Sequence, residues 1–356
     1  MRWAVILTVV ALSVALTVAL PGAPAAARAG GAQEVCRITD PAVVEASGLA
    51  ALPGGGYLVH NDSNPEPRRM RLFYLGPDCS VTRSVGYPMT ARDPEDLAVD
   101  RQGVVWIADI GDNSPLFGGS GKRRATIALW TLKPGAKSMK IHRLRYPDGV
   151  PRDAEALLID GAGRPVIVTK DPAGEVYRLD TPLPTDNAEG APLTLIGHFK
   201  PSRSGTENPF GFLGSALITG AAVSPDGTRA VVRTYADAYE FDVTDGDVAK
   251  AITTGTPTVT PLPGEPQGEA IAYAPDGNSF LTVSDQQGPV SILRYRPEGK
   301  PSPSAAPARD GGTSASASPV SGPVRDRRAR AALLTGAFVV VALGLVAIVT
   351  LRARRR

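Results

Sequence analysis

Between residues 35 and 297 the apolar positions come in short runs, each closed by Gly, Pro or Asp, and the runs come in pairs. Glu95-Asp-Leu-Ala-Val precedes Val105-Trp-Ile-Ala-Asp, with the polar break Asp100–Gly103 between them. The unit recurs as Ser47-Gly-Leu-Ala-Ala with Tyr57-Leu-Val-His-Asn-Asp, and as Glu155-Ala-Leu-Leu-Ile with Val166-Ile-Val-Thr-Lys. Thr219-Gly-Ala-Ala-Val with Ala230-Val-Val-Arg-Thr, and Glu269-Ala-Ile-Ala-Tyr with Phe280-Leu-Thr-Val-Ser-Asp, complete the series. Runs rich in β-branched and apolar residues around a Gly-bearing turn read as antiparallel hairpins. Helical periodicity is scarce over this region, and Pro recurs too often for long helices.

Four of the hairpins are followed by two more alternating segments, for example Arg71–Leu75 and Val81–Tyr87, or Ala238–Val243 and Thr256–Leu262. The unit starts at Ser47, Glu95, Glu155, Thr219 and Glu269 are spaced 48, 60, 64 and 50 residues apart. Repeats of that length with four strands each predict an all-β propeller. The fifth unit has only three strands, and Glu34–Thr39 is left over at the front. Five four-stranded blades, the last one closed by the N-terminal strand, leave no open sheet edge. The alternative is six blades, one of them eroded within Thr181–Ala216.

The ends of the chain have a different composition. Residues 1–29 hold Arg2, the apolar run Ala4–Leu20 and a small-residue Ala27-Arg28-Ala29 site, the pattern of a secretory signal peptide. Residues 30–297 form the expected ectodomain. Residues 298–330, rich in Pro, Ser and Ala, read as a disordered stalk. Residues 331–351 carry no charge and are long enough to span a bilayer as a helix, and 352–356 are a basic tail. Together these predict a single-pass type I protein of the cell membrane, with the propeller outside the cytoplasm. The formal net charge of +3 conceals an asymmetry: residues 29–299 carry 26 Lys and Arg against 33 Asp and Glu. An acidic exported domain argues against a nucleic-acid partner. Cys36 and Cys79, the only cysteines, are expected to pair across the ring closure after export, two buried thiols being the other possibility.

In a propeller blade the start of the first strand and the end of the second share one face of the disc. The polar residues of the units gather there, and they nominate one mouth of the central channel. Glu95, Asp109, Asp112, Glu155, Glu269 and Asp285 are candidate metal ligands, since clustered carboxylates suit Ca²⁺. His60, Asp62, Lys170, Arg233 and Tyr235 are candidate ligand-binding residues, and the cations among them suit a small anionic ligand. The structural alternative is that such residues tie neighbouring blades together. The doublets Arg92-Asp93-x-Glu95 and Arg152-Asp153-x-Glu155 are expected to act in that way, through structural ion pairing. His142 and His198 are expected on the surface of outer strands. The segment Gly119-Ser-Gly-Lys122 lacks the spacing and following helix of a phosphate loop, and neither a nucleophile elbow nor a zinc-protease motif is present.

Ser47-Gly-Leu with His60-Asn-Asp-Ser, Glu95-Asp-Leu-Ala with Asp109-Ile-Gly-Asp-Asn, Glu155-Ala-Leu with Thr169-Lys-Asp, and Gly268-Glu-Ala-Ile-Ala resemble exported bacterial β-propellers. More distantly they resemble the phytase-like esterase and SdiA-regulated propeller families. The resemblance implies calcium on Glu95, Asp109, Glu155 and Glu269, with Lys170 and Arg233 facing phosphate. Unit four departs from it, having Thr219 where a Glu is expected. Two functions follow as expectations: a ligand-binding or scaffold module at the cell envelope, whose partner is a small anion or an envelope protein, or a calcium-assisted hydrolase of a phosphoester, ester or lactone.

Overall fold

A computed structural model describes residues 31–112, 123–185 and 188–297. The expected signal peptide, stalk, membrane span and basic tail lie outside these residues. No helix among them is long and apolar enough to cross a membrane.

The chain forms five antiparallel sheets, one per repeat unit. β1 (Gln33–Ile38) comes first and is used last. Blade one is β2 (Ala46–Ala51), β3 (Tyr57–Asn61), β4 (Arg71–Leu75) and β5 (Val81–Gly86). Blade two is β6 (Pro94–Val99), β7 (Val105–Asp109), β8 (Ile127–Leu132) and β9 (Lys140–Arg145). Blade three has β10 (Ala154–Ile159), β11 (Pro165–Thr169) and β12 (Glu175–Arg178), then β13 (Ala191–Pro192) intervenes and β14 (Thr194–His198) completes the sheet. Blade four is β15 (Ile218–Val223), β16 (Arg229–Thr234), β17 (Asp237–Asp242) and β18 (Thr258–Pro261). Blade five is β19 (Gly268–Tyr273), β20 (Phe280–Ser284) and β21 (Val290–Tyr295), with β1 pairing on β21 from Gln33↔Arg294 to Ile38↔Val290. The five-bladed, N-terminally closed reading therefore holds. The long connection 181–216 makes no sixth blade: β13 adds a short parallel edge to β9 of blade two.

The core explains why the inner strands read as continuous apolar runs. Each blade interface holds its own apolar cluster, and alternate residues of one strand supply the two neighbouring interfaces. Leu157 packs toward blade two with Leu129 and Ala108, whereas Leu158 packs toward blade four with Val232 and Tyr239. Leu49, Phe73 and Val59 meet Ala270, Leu281 and Ile292 across the closure between blades one and five. Cys36 of β1 is bonded to Cys79, in the β4–β5 turn of blade one, with Cα atoms 5.7 Å apart. Closing a 43-residue loop contributes about 4 kcal/mol on the chain-entropy account.

Two local features escaped the sequence pattern. α1 (Val248–Thr254) is a short helix capped by Asp247, whose carboxylate accepts the Lys250 N–H at 3.0 Å. It buries Val248, Ala249, Ala251 and Ile252 in the cluster between blades three and four. His142 is not a surface residue. It is buried, with the Thr131 hydroxyl on one ring nitrogen at 2.9 Å and the Pro184 carbonyl on the other at 2.5 Å. His198 is exposed, as expected.

Candidate functional site

Every blade breaks its first hairpin at the same place. In blade two the register passes from Pro94↔Asp109 to Asp96↔Ala108, so Glu95 is an extra residue opposite no partner. The same skip falls on Ser47, Glu155, Thr219 and Glu269. A bulge of this kind bends the strand and re-aims the extra side chain. Five repeats thus direct Ser47, Glu95, Glu155, Thr219 and Glu269 toward one another as a ring of three carboxyls and two hydroxyls. The hydroxyls serve the frame: Ser47 donates to the Glu95 carbonyl at 2.6 Å, and Thr219 to the Gly268 carbonyl at 3.1 Å.

The carboxyls of Glu95, Glu155 and Glu269 are almost wholly buried, and each has one oxygen without a hydrogen-bond partner. Oxygens of these three groups lie within 4.8 Å of one another, and so do oxygens of Asp62, Asp93 and Glu95. Glu95 belongs to both sets. Its carboxyl and that of Asp93 press against the backbone of Gly111, where a Cβ would collide with both. Lys170, at the end of β11, reaches in to Glu155 at 2.5 Å, and its ammonium lies 5.8 Å from the centre of the Tyr235 ring.

Crowding shows in the ionisation of the group. Burial, then the charges of Asp62, Glu155 and Asp93, push the Glu95 carboxyl well above the usual carboxylate range. Burial and Glu155 do the same to Glu269. Burial and the neighbouring charge of Asp93 raise Asp62. Around them burial lifts Asp93 to about 6, Asp285 to about 6 and Asp153 to about 7. Burial opposes the charge on Lys170, but Glu155, Glu269, Tyr235 and Glu95 outweigh it and hold the amine protonated.

Beneath the ring the channel is crossed by Asp96, which follows Glu95 and has Gly48, Ala156, Gly220 and Ala270 as its counterparts. Its carboxyl accepts N–H groups from Leu97 and Leu157 at 2.8 Å and from Ala221 at 3.2 Å, so one side chain joins blades two, three and four. Below it, at the opposite end of the channel, lies a cavity of about 990 Å³ lined largely by apolar residues such as Leu52, Val99, Ile159 and Val223. The carboxyls lie at the other end from this cavity.

The residues nominated from sequence therefore divide. Glu95, Glu155, Glu269, Asp62, Asp285, Lys170 and Tyr235 come together at the mouth. Asp285 accepts from the Gln267 amide on one oxygen and has no partner on the other. Asp109 and Asp112 do not join them as free ligands. Asp109 takes the N–H groups of Arg92 and Asp93, both at 3.0 Å, the Arg124 guanidinium at 2.8 Å and the Trp130 indole at 3.2 Å. Asp112 is engaged by Arg123 at 2.9 Å, Arg92 at 3.6 Å and the Arg124 N–H at 3.1 Å. Arg233 turns away from the mouth: fully buried, it pairs with Glu265 at 2.5 Å and donates to the carbonyls of Thr234 and Ala270. His60 is no cation either. Its ring is buried against Gly48 and Leu97, hydrogen-bonded to the Asn61 carbonyl, and burial lowers its pKa to about 4.

Sequence reasoning missed Asp93, Asp153, Arg124 and Glu265. The two Arg-Asp doublets do enter structural ion pairs, Arg92 with Asp112 among them, but each sends its Arg and Asp to opposite sides, as neighbours in an extended chain must go. Arg152 runs outward to Asp148 at 2.7 Å and Glu175 at 2.5 Å, over the rings of Tyr146 and Tyr177, while Asp153 turns inward and accepts the Asp112 N–H at 2.8 Å. The repeated doublet was the available signal for Asp93 and Asp153. Nothing in the repeat pattern marks Arg124 or Glu265.

No protein-family model matches the sequence, and no curated protein is similar to it. Among solved structures, the glutaminyl cyclase of Myxococcus xanthus aligns over 74% of this chain and 96% of its own, at 12% identity and a TM-score of 0.44. The PQQ-bound aldose sugar dehydrogenase of Streptomyces coelicolor aligns over 75% and 98%, at 14% identity and a TM-score of 0.39.

Proposed function

We propose that this propeller is a ligand-binding module of the cell envelope whose channel mouth is a cation site, with Ca²⁺ as its metal. The observation that carries the reading is that Glu95, Glu155 and Glu269 bring buried carboxyl oxygens within 4.8 Å of one another and that each of the three also keeps an oxygen without a hydrogen-bond partner. Buried carboxyls that repel one another are compensated by protons, by cations from the chain or by a metal. Of the chain cations expected there, Lys170 is bound to Glu155 and Arg233 to Glu265. Oxygens that lie within 4.8 Å of one another are close enough to share one ion, and an all-carboxylate donor set is the hard-oxygen chemistry that Ca²⁺ takes. Asp62, Asp93 and Glu95 would hold the ion, with Glu155 and Glu269 completing or extending the set, and bound Ca²⁺ would supply a Lewis-acidic centre at the mouth. An anion would reach this mouth only as a further ligand of that metal. On the same reading residues 1–29 export the chain, and residues 331–351 anchor it with the propeller outside.

Millimolar Ca²⁺ should raise the melting temperature by about 5 °C or more, and Glu95→Gln should remove most of that rise. A melting curve indifferent to calcium and to chelator would leave these carboxyls as ties between blades. Turnover of phosphomonoesters, esters or lactones that chelator abolishes would instead make the module a hydrolase.

A further inference from the structure

The face that carries the mouth is also where the chain exposes its apolar side chains. Of the seven large hydrophobic residues most exposed among the described ones, Met89, Val150, Phe210, Phe212 and Leu213 lie in connections on this face, and only Leu195 and Val259 are on outer strands. Three of them are consecutive in effect, within the segment Asn208-Pro-Phe-Gly-Phe-Leu-Gly214 between blades three and four.

This segment is held in place by its own polar groups. The Asn208 amide donates to the carbonyls of Thr206 and Gly211 and accepts the Phe210 N–H at 3.0 Å. Thr206 and Ser204 donate their hydroxyls to Asp237 at 2.6 and 2.5 Å, and the Tyr239 hydroxyl holds the Ser202 carbonyl at 2.7 Å. The loop is thus built to a shape, and that shape leaves Phe212 65% and Leu213 48% exposed. Apolar groups presented on an ordered loop, on the face that carries the carboxyl ring, mark a binding edge.

The edge connects to the carboxyl ring through aromatic contacts. Phe210 packs on Tyr235 with ring centres 4.5 Å apart, and Tyr235 lies under the Lys170 ammonium, which is bonded to Glu155. Arg203 places its guanidinium 5.7 Å from the centre of the Phe212 ring. The protein's own cations therefore already use both parts: carboxyl oxygens for the charge, aromatic faces for the body beside it.

We infer that the mouth takes an organic cation with an apolar body, its ammonium or guanidinium group on the carboxyls around Glu95 and its hydrocarbon portion on Phe210, Phe212 and Leu213. The inference rests on the reading of the mouth as a cation site and goes beyond it in naming a ligand class that needs no metal and competes with Ca²⁺. The donor set decides the sign of the ligand. Among the described residues, Asp62, Asp93, Glu95, Glu155 and Glu269 gather around the ammonium of Lys170, so a further ammonium can be met there by carboxyls that give up protons, whereas without the metal an anionic headgroup would only add to the crowding.

The test uses the full-length chain and calorimetric titration with octylammonium, methylammonium and octanoate, with and without Ca²⁺. Because the apolar stretch 331–351 is present in every sample, its contribution cancels between variants. Octylammonium should bind at least tenfold more tightly than methylammonium, and Ca²⁺ should weaken it. Phe212→Ser combined with Leu213→Ser should erase the chain-length preference while leaving the calcium shift in melting temperature intact, both residues being exposed. Glu95→Gln should weaken octylammonium and Ca²⁺ alike. No chain-length preference, or one that survives the loop variant, overturns the inference while the calcium shift still reports on the mouth. Octanoate bound as tightly as octylammonium overturns it in favour of an anion. Octylammonium and Ca²⁺ binding without competition overturns the shared site. Co-sedimentation with phosphatidylcholine vesicles that depends on Phe212 would make the loop a membrane contact and overturn it too. Loss of the calcium shift in the wild-type chain would instead remove the metal from the reading, and octylammonium binding would then stand or fall alone.

Discussion

Two groups of buried charge, both drawing on the second repeat unit, are built in opposite ways. Around Arg124 the guanidinium serves the Asp109 carboxylate and the carbonyls of Asp109, Gly111 and Thr126, while Asp109 accepts from four donors. Around the channel axis, Glu95, Glu155 and Glu269 gather with one protein cation among them and oxygens left without partners. The first arrangement completes its own hydrogen bonding and so belongs to the fold. The second leaves capacity that only protons or a ligand can fill, and buried polar groups left in that state are rare in structural positions. Composition cannot separate the two, since both are runs of Asp and Glu at strand ends. Partner accounting does.

The comparison is broken most easily at its satisfied half. Arg124→Ala should cost about 3–5 kcal/mol, because it strips the guanidinium from the buried Asp109 carboxylate and from three carbonyls at once. Denaturant unfolding measures this, and a loss below about 1 kcal/mol would mean that the hub is not structural. At the axis the sign should reverse. In chelator, Glu269→Gln should stabilise the protein by about 1 kcal/mol by removing a buried, repelled carboxyl, and it should reduce the gain from Ca²⁺. A destabilised chelator-treated variant would place Glu269 with the structural group.

The smallest effect expected is the pH dependence. Asp93, Asp153 and Asp285 are raised to between about 6 and about 7 in the folded protein, above their value of 3.8 when exposed. Between those limits the folded state keeps protons that the unfolded chain has released. Their contribution is therefore present at low pH and is lost as pH rises through about 6 to about 7. His60 acts oppositely, since its pKa falls from 6.5 to about 4 and burial resists its charging. Asp62, Glu95 and Glu269, raised further still, act in the same direction, so the carboxyls outweigh the imidazole and the metal-free protein should melt higher at pH 5.5 than at pH 7.5. Saturating Ca²⁺ should flatten that difference, and a metal-free melting temperature that falls on mild acidification would contradict the crowded-mouth account.

Much of this was legible in the amino-acid pattern, for identifiable reasons. Paired apolar runs with fixed turn residues mark blades because both faces of an inner strand are buried, and the spare strand Gln33–Ile38 was visible as the one segment the fifth unit lacked. Glu95, Glu155 and Glu269 were legible because the bulge falls at one position of the repeat. The Arg-Asp doublets are legible as ties between blades, but what each side chain meets is not, because an extended backbone sends neighbours apart: Arg152 reaches Asp148 and Glu175 while Asp153 accepts the Asp112 N–H. Arg124 and Arg233 find their partners through tertiary geometry, Arg233 meeting Glu265 across 32 residues of sequence and two blades, which no local pattern encodes. The helix Val248–Thr254 was hidden by its brevity: seven residues offer too few turns for a period to show.

The closing strand has one further consequence, for the order of assembly. β1 is the first of these strands to be synthesised, yet its partner β21 is made last, with Ser291 contacting Glu34 across 257 residues. Contacts that distant are slow to form, because the chain between must be ordered before they repay its entropy. For most of synthesis, then, β1 has no partner and blade one has an uncovered apolar face, and each can recruit a second chain. The bond from Cys36 to Cys79 needs only the first 79 residues. Formed early, it would hold β1 beside blade one, within reach of the position it must finally take, while the other four blades emerge. The chain would then wait for closure with its first strand moored rather than loose.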